Sequence, residues 1–150
     1  YNTYKSTHPL PNDLRRIAEQ SSGILLNRYL TDWTQTTNKI NYAINQVEQS
    51  KNKSKITLER IGLMPMPLEV LVKYKDGTEE FYYIPISLMR GEKKQPSYAK
   101  SWTQVEDWSW AYKKYTFEVN NKLESIKSID LNPTGLIADT DNSNDIIIFE

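Results

Sequence analysis

Residues 68–86 read LEVLVKYKDGTEEFYYIPI and carry the most regular pattern in the chain. Every second residue of the first half is apolar, which is the period of a strand with one buried face. Asp76 and Gly77 then supply a tight turn, because glycine accepts a positive φ without steric cost. The second half returns as the partner strand, and Pro85, which cannot donate to a ladder, marks an edge or a bulge. This stretch predicts an antiparallel hairpin.

The same period of two recurs on both sides of the hairpin. Seven or so short strands separated by turn signals predict a mainly β chain folded as a β-sandwich. Residues 88–104 show no period and are predicted to form a long loop, which is a kind of segment that is often functional. The alternating sets are Ile40, Tyr42 and Ile44; Ile56 and Leu58; Tyr115, Phe117 and Val119; and Ile126, Ile129 and Leu131, with a β-branched run at 145–150.

Residues 1–36 have a helical period instead. Pro11 suits the first turn of a helix and Gly23 suits its end. A second helix, which we expect Ser22 to cap, follows with apolar residues spaced i, i+3, i+4 and i+7. Two short helices bury little by themselves, so this seam is predicted to pack against another part of the protein. The predicted packing residues are Leu26, Tyr29, Leu30 and Trp33.

The composition excludes several classes of function. Lys and Arg together number 19, as do Asp and Glu, so the net charge is zero and predicts no nucleic-acid partner. The longest apolar run is about four residues, which predicts no membrane span. There is no cysteine and His8 is the single histidine, so a cysteine-type or histidine-rich zinc site cannot be completed. The sequence starts at Tyr1 and not at a methionine, and it shows no leader pattern, so we expect an excised or processed piece of a longer protein.

The segment 107–117, DWSWAYKKYTF, holds five aromatic rings in eleven residues. One interpretation is an exposed platform that stacks a carbohydrate or a single-stranded nucleic acid. The other, which we favour, is that these rings fill a core, because a sandwich of this size needs large apolar side chains inside. The platform would consist of Trp102, Trp108 and Trp110.

The end of the chain, DTDNSNDIIIFE, places oxygen-bearing side chains at positions 1, 3, 5, 7 and 12 of a calcium-loop template. Asn144 stands where that loop normally needs glycine for its sharp turn, and no helix leaves the site. The other interpretation is a polar turn. The candidate calcium ligands are Asp139, Asp141, Ser143, Asp145 and Glu150.

Five phrases of the sequence resemble the C-terminal end of bacterial zinc metallopeptidases of the aminopeptidase N type, peptidase family M-one, in the form found in Bacteroidetes. The resemblance extends from Tyr1 to about Asn144, and it rests on stretches of similar sequence and not on a catalytic motif. The phrases are YNTYKSTHPLPNDL (1–14), LTDWTQTTNKINYAI (30–44), MPLEVLVKYKDGTEEFYYIPISLMRGEK (66–93), DWSWAYKKYTFEV (107–119) and IKSIDLNPTGLIADTDNSN (126–144).

The resemblance implies that residues 1–36 are the helical tail of a thermolysin-like catalytic domain and that residues 37–150 form an immunoglobulin-like β-sandwich. The family's His-Glu-x-x-His motif and its further Glu ligand do not occur in this chain. Zinc would therefore belong to the parent protein, upstream of Tyr1, and neither Tyr1 nor Tyr4 stands in a motif that marks a catalytic tyrosine. We assign no catalytic or metal residue here.

Two functions follow as hypotheses. In the first, the chain is the noncatalytic C-terminal region of a zinc aminopeptidase, and its partner is its own upstream catalytic domain, which cleaves peptide substrates at their N-termini. The resemblance suggests that such a parent is periplasmic, on the cell surface or secreted. In the second, the chain is a stand-alone β-sandwich that binds a carbohydrate or a protein. Fold alone cannot separate the two, because sandwiches host many functions.

Overall fold

The computed structural model describes Lys5 and residues 8–150. Within this part of the chain, two helices precede eight strands, and short 3₁₀ turns lie between some of the strands. The helices are α1 (Pro11–Ser22) and α2 (Asn27–Gln35); the strands are β1 (Tyr42–Ser50), β2 (Lys53–Arg60), β3 (Leu68–Tyr74), β4 (Glu79–Ile84), β5 (Thr103–Gln104), β6 (Lys114–Val119), β7 (Ile126–Asp130) and β8 (Ile146–Ile148).

The strands form two sheets, one in the order β1-β2-β6 and the other in the order β5-β4-β3-β7-β8. All neighbours are antiparallel except the two-residue β5, which pairs parallel to β4. The chain changes sheet between β2 and β3, between β5 and β6, and between β6 and β7, as in immunoglobulin-like sandwiches. The predicted fold class, a mainly β sandwich preceded by a short helical segment, is confirmed.

The hairpin at 68–86 forms as its sequence predicts. Strands β3 and β4 pair from Leu68 opposite Ile84 to Lys73 opposite Glu79. Gly77 has φ +88°, and the carboxylate of Asp76 accepts hydrogen bonds from the backbone and the hydroxyl of Thr78 at 2.8 and 2.6 Å. The turn is therefore set by a glycine that supplies the positive φ and an aspartate that binds the backbone two residues on.

One apolar core lies between the two sheets. Its members are the inward residues of the alternating strands, since a strand presents alternate side chains to each face. Ile56, Leu58, Leu68, Val70, Val72, Val119, Ile126 and Ile129 are all fully buried in it.

Segment 88–104 folds over the outer face of the larger sheet. Tyr98 lies against the ring of Phe81, with centroids 5.8 Å apart, and its hydroxyl donates to Glu69 at 2.5 Å. Ala99 completes a small second apolar cluster with Leu71 and Phe81. Strand β4 is therefore buried on both faces, and the long loop serves at least in part as a structural cover.

The helical segment joins the sandwich through its turn. Gly23, whose φ is +72°, caps the C-terminus of helix α1, so α1 stops where its glycine predicts. The predicted cap of α2 by Ser22 is wrong: Ser22 is the last residue of α1 and its hydroxyl donates to the carbonyl of Ala18 at 2.6 Å. After the turn, the backbone N–H of Leu25 donates to the carbonyl of Met89 at 2.8 Å.

The two ends of the sandwich differ. At one end, the strands are joined by short turns at 51–52, 75–78 and 120–125. At the other end lie the long connections 61–67, 85–113 and 131–145, and the helical segment enters there. We call this second end the loop end. None of the described helices is long and apolar enough to cross a bilayer.

Candidate functional site

The loop end is the candidate functional site, because most of the exposed large apolar side chains outside the strands lie there. Helix α1 has no buried residue along its whole length, and Leu14 is 68% exposed. Trp33, near the end of α2, is half exposed. The exposed apolar side chains of the helical segment are Leu10, Leu14, Leu25 and Trp33, and those of the other loops at this end are Ile61, Leu63, Trp110, Tyr112 and Leu136.

The predicted packing residues do not all face the same way: some point toward the sandwich and others toward solvent. Tyr29 packs against the sandwich core, and Leu26 is half-buried, with its backbone N–H bound by Glu19 at 2.8 Å. Leu30 lines a shallow groove between the two helices that Leu14 also lines. Trp33 touches the ring of Tyr29, with centroids 6.1 Å apart, but faces solvent. We call the surface formed by Leu10, Leu14, Leu30 and Trp33 the helical face.

The three tryptophans of the suggested platform have three different environments. Trp108 is 3% exposed and lies between Tyr42 and Tyr115, at centroid distances of 5.5 and 5.3 Å. Trp102 is half-buried and stacks on Tyr83 at 5.3 Å.

Trp110 is the platform tryptophan that the structure exposes, at 55%. Its backbone carbonyl accepts a hydrogen bond from the guanidinium of Arg60 at 2.6 Å, which fixes the loop but leaves the ring free. Tyr112, two residues along the chain, is also exposed. The segment 107–117 thus contributes both core rings and exposed rings.

Trp108 is tied to the backbone as well as to its aromatic neighbours. Its indole N–H donates to the carbonyl of Tyr112 at 2.9 Å, and its backbone N–H donates to the carbonyl of Pro85 at 2.8 Å. Burial, together with the carboxylates of Glu106 and Asp107, raises the pKa of Tyr115 to about 12. This stack holds the 85–113 connection against the core.

Tyr42 anchors two loops of the same end. Its hydroxyl accepts from the backbone N–H of Met66 at 2.8 Å and donates to the carbonyl of Met66 at 3.2 Å. Its own backbone N–H donates to Asp139 at 2.9 Å. Burial raises the pKa of Tyr42 to about 12, so the hydroxyl keeps its proton. The connections 61–67 and 131–145 are therefore both attached to the start of β1.

The five candidate calcium ligands do not form a single loop. Asp139 accepts from the backbone N–H groups of Tyr42 and Asp141, and Asp141 accepts from Ser143, as in ordinary polar turns. Glu150 lies beyond β8, where its carbonyl accepts from Lys75 at the tight-turn end of the sandwich. The template fails because β8 is an extended strand, which carries its last position away from the first four.

Asp145 is the exception among these residues. It is 3% exposed, and its Oδ1 receives no hydrogen bond from the described residues. Burial, and the neighbouring carboxylates of Asp139, Asp130 and Asp141, raise its pKa to about 6.

Two polar groups, one buried and one half-buried, were not singled out from the sequence. Asp32 of α2 is buried and binds Arg28 at 3.0 Å and Asn38 at 3.2 Å; the i, i+4 spacing of Arg28 and Asp32 could have signalled the first contact. Glu80 points between the sheets and accepts from the hydroxyls of Tyr74 and Tyr82 at 2.5 and 2.6 Å. Their meeting depends on strand register, which the alternation alone does not supply.

Among the described residues, no three His, Cys, Asp or Glu side chains converge as a metal centre. His8 is exposed, and Tyr1 and Tyr4 lie outside the described residues. Comparisons with family models, with curated proteins and with solved structures gave no match.

Proposed function

We propose that this chain is the noncatalytic C-terminal region of a zinc aminopeptidase, and that it supports an upstream catalytic domain through its loop end. The observation that carries the proposal is the helical face, an apolar surface at the end where the chain enters the sandwich. The resemblance of the sequence to the aminopeptidase N family supplies the identity of the partner.

The helices need a partner for energetic reasons. Isolated helices shorter than about 12–15 residues are marginal in water, and most helical stability in proteins comes from burying an apolar face. Helix α1 has 12 residues and α2 has 9, and α1 buries none of them. A domain packed on Leu14 and Trp33 would bury that face and hold both helices.

Loops at the same end of the sandwich also expose apolar side chains. Leu63 and Trp110 are both exposed, and their backbone carbonyls accept from one guanidinium, that of Arg60, at 3.5 and 2.6 Å. Side chains on a braced backbone lose little freedom when a partner covers them, so they suit a permanent interface.

The role that this arrangement supports is structural. The zinc, the activated water and the peptide cleft would belong to the partner domain, in which zinc lowers the pKa of its bound water for attack on the peptide bond. The residues of this chain would orient that domain and shape the approach to its cleft.

The first test is to read the coding sequence upstream of Tyr1. We expect a His-Glu-x-x-His motif followed by a further Glu ligand. An upstream frame without these ligands would refute the zinc-peptidase parent.

The second test uses the full-length protein. Leu14→Glu with Trp33→Glu should lower its melting temperature and its hydrolysis of an aminoacyl p-nitroanilide. Ile148→Glu is the matched control, since Ile148 is an apolar side chain that is 75% exposed on β8, away from the helices. Equal behaviour of the two variants would refute docking through the helical face.

A stand-alone binding module is the second candidate, favoured by the joint exposure of Trp110 and Tyr112. Tryptophan fluorescence titrated with oligosaccharides separates the two functions. Saturable quenching that Trp110→Ala abolishes would support the binding module, whereas an unchanged spectrum would support the structural role.

A further inference from the structure

We propose that the loop end holds a divalent-cation site, best suited to Ca²⁺, in the cavity between the 130–137 turn and the start of β8. The site uses Asp130 and Asp145 as its carboxylate ligands. It is independent of the proposed function, because none of the residues that line the cavity belongs to the helical face.

The geometry begins with the cavity. It has a volume of about 180 Å³ and is open to solvent on one side. Its polar lining consists of two carboxylates and two amides, and no Lys or Arg lines it. These four side chains belong to Asp130, Asn132, Asn142 and Asp145.

The burial of Asp145 points to a ligand. A buried carboxylate is costly unless it is paired with a cation or receives hydrogen bonds. Asp145 is buried, and no group in the described part of the chain donates a hydrogen bond to its Oδ1. The charged groups that face it there are the carboxylates of Asp130, Asp139 and Asp141. A bound cation supplies the positive charge that the described surroundings of Asp145 lack.

The neighbouring carboxylates are held differently. Asp139 is occupied by the backbone N–H groups of Tyr42 and Asp141, and Asp141 by Ser143. Asp130 accepts one bond, from the backbone N–H of Asn132 to its Oδ1 at 3.0 Å. Among the described residues, Asp130 and Asp145 are therefore the pair whose carboxylates each keep an oxygen without a hydrogen bond.

Calcium fits this donor set better than magnesium or zinc. It takes about 6–8 oxygen ligands in flexible geometry and accepts amide, carbonyl and water oxygens beside carboxylates. Zinc prefers nitrogen and sulfur ligands, and no His or Cys lines the cavity. With two carboxylates, the affinity should be modest, in the range of about 10⁻⁴–10⁻³ M that is typical of extracellular calcium modules.

The test is calorimetric titration of the metal-stripped 150-residue chain with CaCl₂ up to about 10 mM, about ten times the upper end of that affinity range. We expect saturable binding of one ion per chain and a melting temperature that rises with calcium concentration. Titration with MgCl₂ should give binding at least about tenfold weaker. Absence of saturable calcium binding, or equal affinity for magnesium, would overturn the proposal.

Two variants and one control locate the site. Asp145→Asn should abolish calcium binding while its melting temperature in EDTA equals or exceeds that of the wild type, because the buried charge is gone. Asp130→Asn should weaken binding by about tenfold or more, as loss of a charged ligand does. Glu124→Gln, an exposed carboxylate at the tight-turn end, should bind like the wild type. Calcium binding that survives in Asp145→Asn would place the ion elsewhere and overturn the assignment.

Discussion

Replacing Trp108 or Trp110 by alanine separates a core ring from an exposed ring within one short segment. Trp108 is 3% exposed, stacked on Tyr115 and in edge contact with Tyr42, whereas Trp110 is 55% exposed. The two substitutions remove the same side chain two positions apart, so each is the matched control for the other. We expect Trp108→Ala to be strongly destabilising and Trp110→Ala to be nearly neutral.

The magnitude follows from the burial of the indole. A large aromatic side chain buries about 150–250 Å², which at about 25 cal/mol per Å² is at most about 4–6 kcal/mol. Measured costs of replacing buried Phe or Trp by Ala are about 3–5 kcal/mol. The lost indole hydrogen bond to Tyr112 is included in that range. For Trp110, we expect a cost below about 1 kcal/mol.

The assay is equilibrium unfolding in urea followed by far-ultraviolet circular dichroism, because the substitutions alter tryptophan fluorescence directly. With a slope of about 2 kcal/mol per molar urea, Trp108→Ala should lower the midpoint by roughly 1.5–2.5 M. Since domains of this kind are stable by about 5–15 kcal/mol, the variant can fall near the folding limit. Trp108→Phe, which keeps a ring in the stack, should then show an intermediate shift.

Equal midpoints for Trp108→Ala and Trp110→Ala would refute the assignment of Trp108 to the core. A larger loss for Trp110→Ala would refute it more strongly, because the exposed ring would then be the structural one. Either result would favour the interpretation of segment 107–117 as an exposed platform over its interpretation as part of the core.

Three further predictions test the loop end. Tyr42→Phe leaves the N–H and the carbonyl of Met66 without their partner and should cost about 1–3 kcal/mol in urea unfolding; a cost equal to that of the exposed Tyr112→Phe would contradict this. Gly91→Ala places a Cβ against the carbonyl of Gly23, so hydrogen exchange should speed up in the helices and not in the sheets; unchanged helical protection would contradict the contact. In EDTA, the free energy of unfolding of the wild type should fall by roughly 1–3 kcal/mol relative to that of Asp145→Asn as the pH rises from 4 to 7. The reason is that the pKa of Asp145 is about 6 in the native state, against 3.8 for an ordinary aspartate, so the native state keeps this proton to a higher pH than the unfolded state does. Parallel stability curves would contradict that pKa.

Most of the strands were predictable because the sandwich buries one face of them and leaves the other more open. Alternation is a local signal, and the hairpin at 68–86 adds a turn whose residue types dictate its geometry. The cap of α2 was not predictable in the same way. Ser22 could bind the backbone of either helix, and its contact with Ala18 wins. Side chains that compete for backbone groups make helix boundaries ambiguous in sequence.

The loop 88–104 could not be read from its own residues. Its structure depends on contacts with Glu69 and Phe81, which precede it by one or two strands. The calcium template failed for a related reason. Strand β8 is extended from Ile146 to Ile148 at about 3.3 Å per residue, and Glu150 lies beyond it against Lys75, so the last ligand is carried away from the others. Spacing along a sequence becomes spacing in a site only when the local backbone is known.

The asymmetry of the sandwich ends connects these observations with function. The tight turns only connect neighbouring strands, so a docking surface at one end of the sandwich must be formed by the long connections. Here those connections are fixed from inside the fold, by Tyr42 and Trp108, while Trp110 and the helical face remain exposed. An isolated domain gains nothing from loops that are firmly anchored and expose apolar side chains. A domain that must hold a neighbour in a defined orientation does gain from them. For that reason the loop end favours a supporting role over a flexible binding loop.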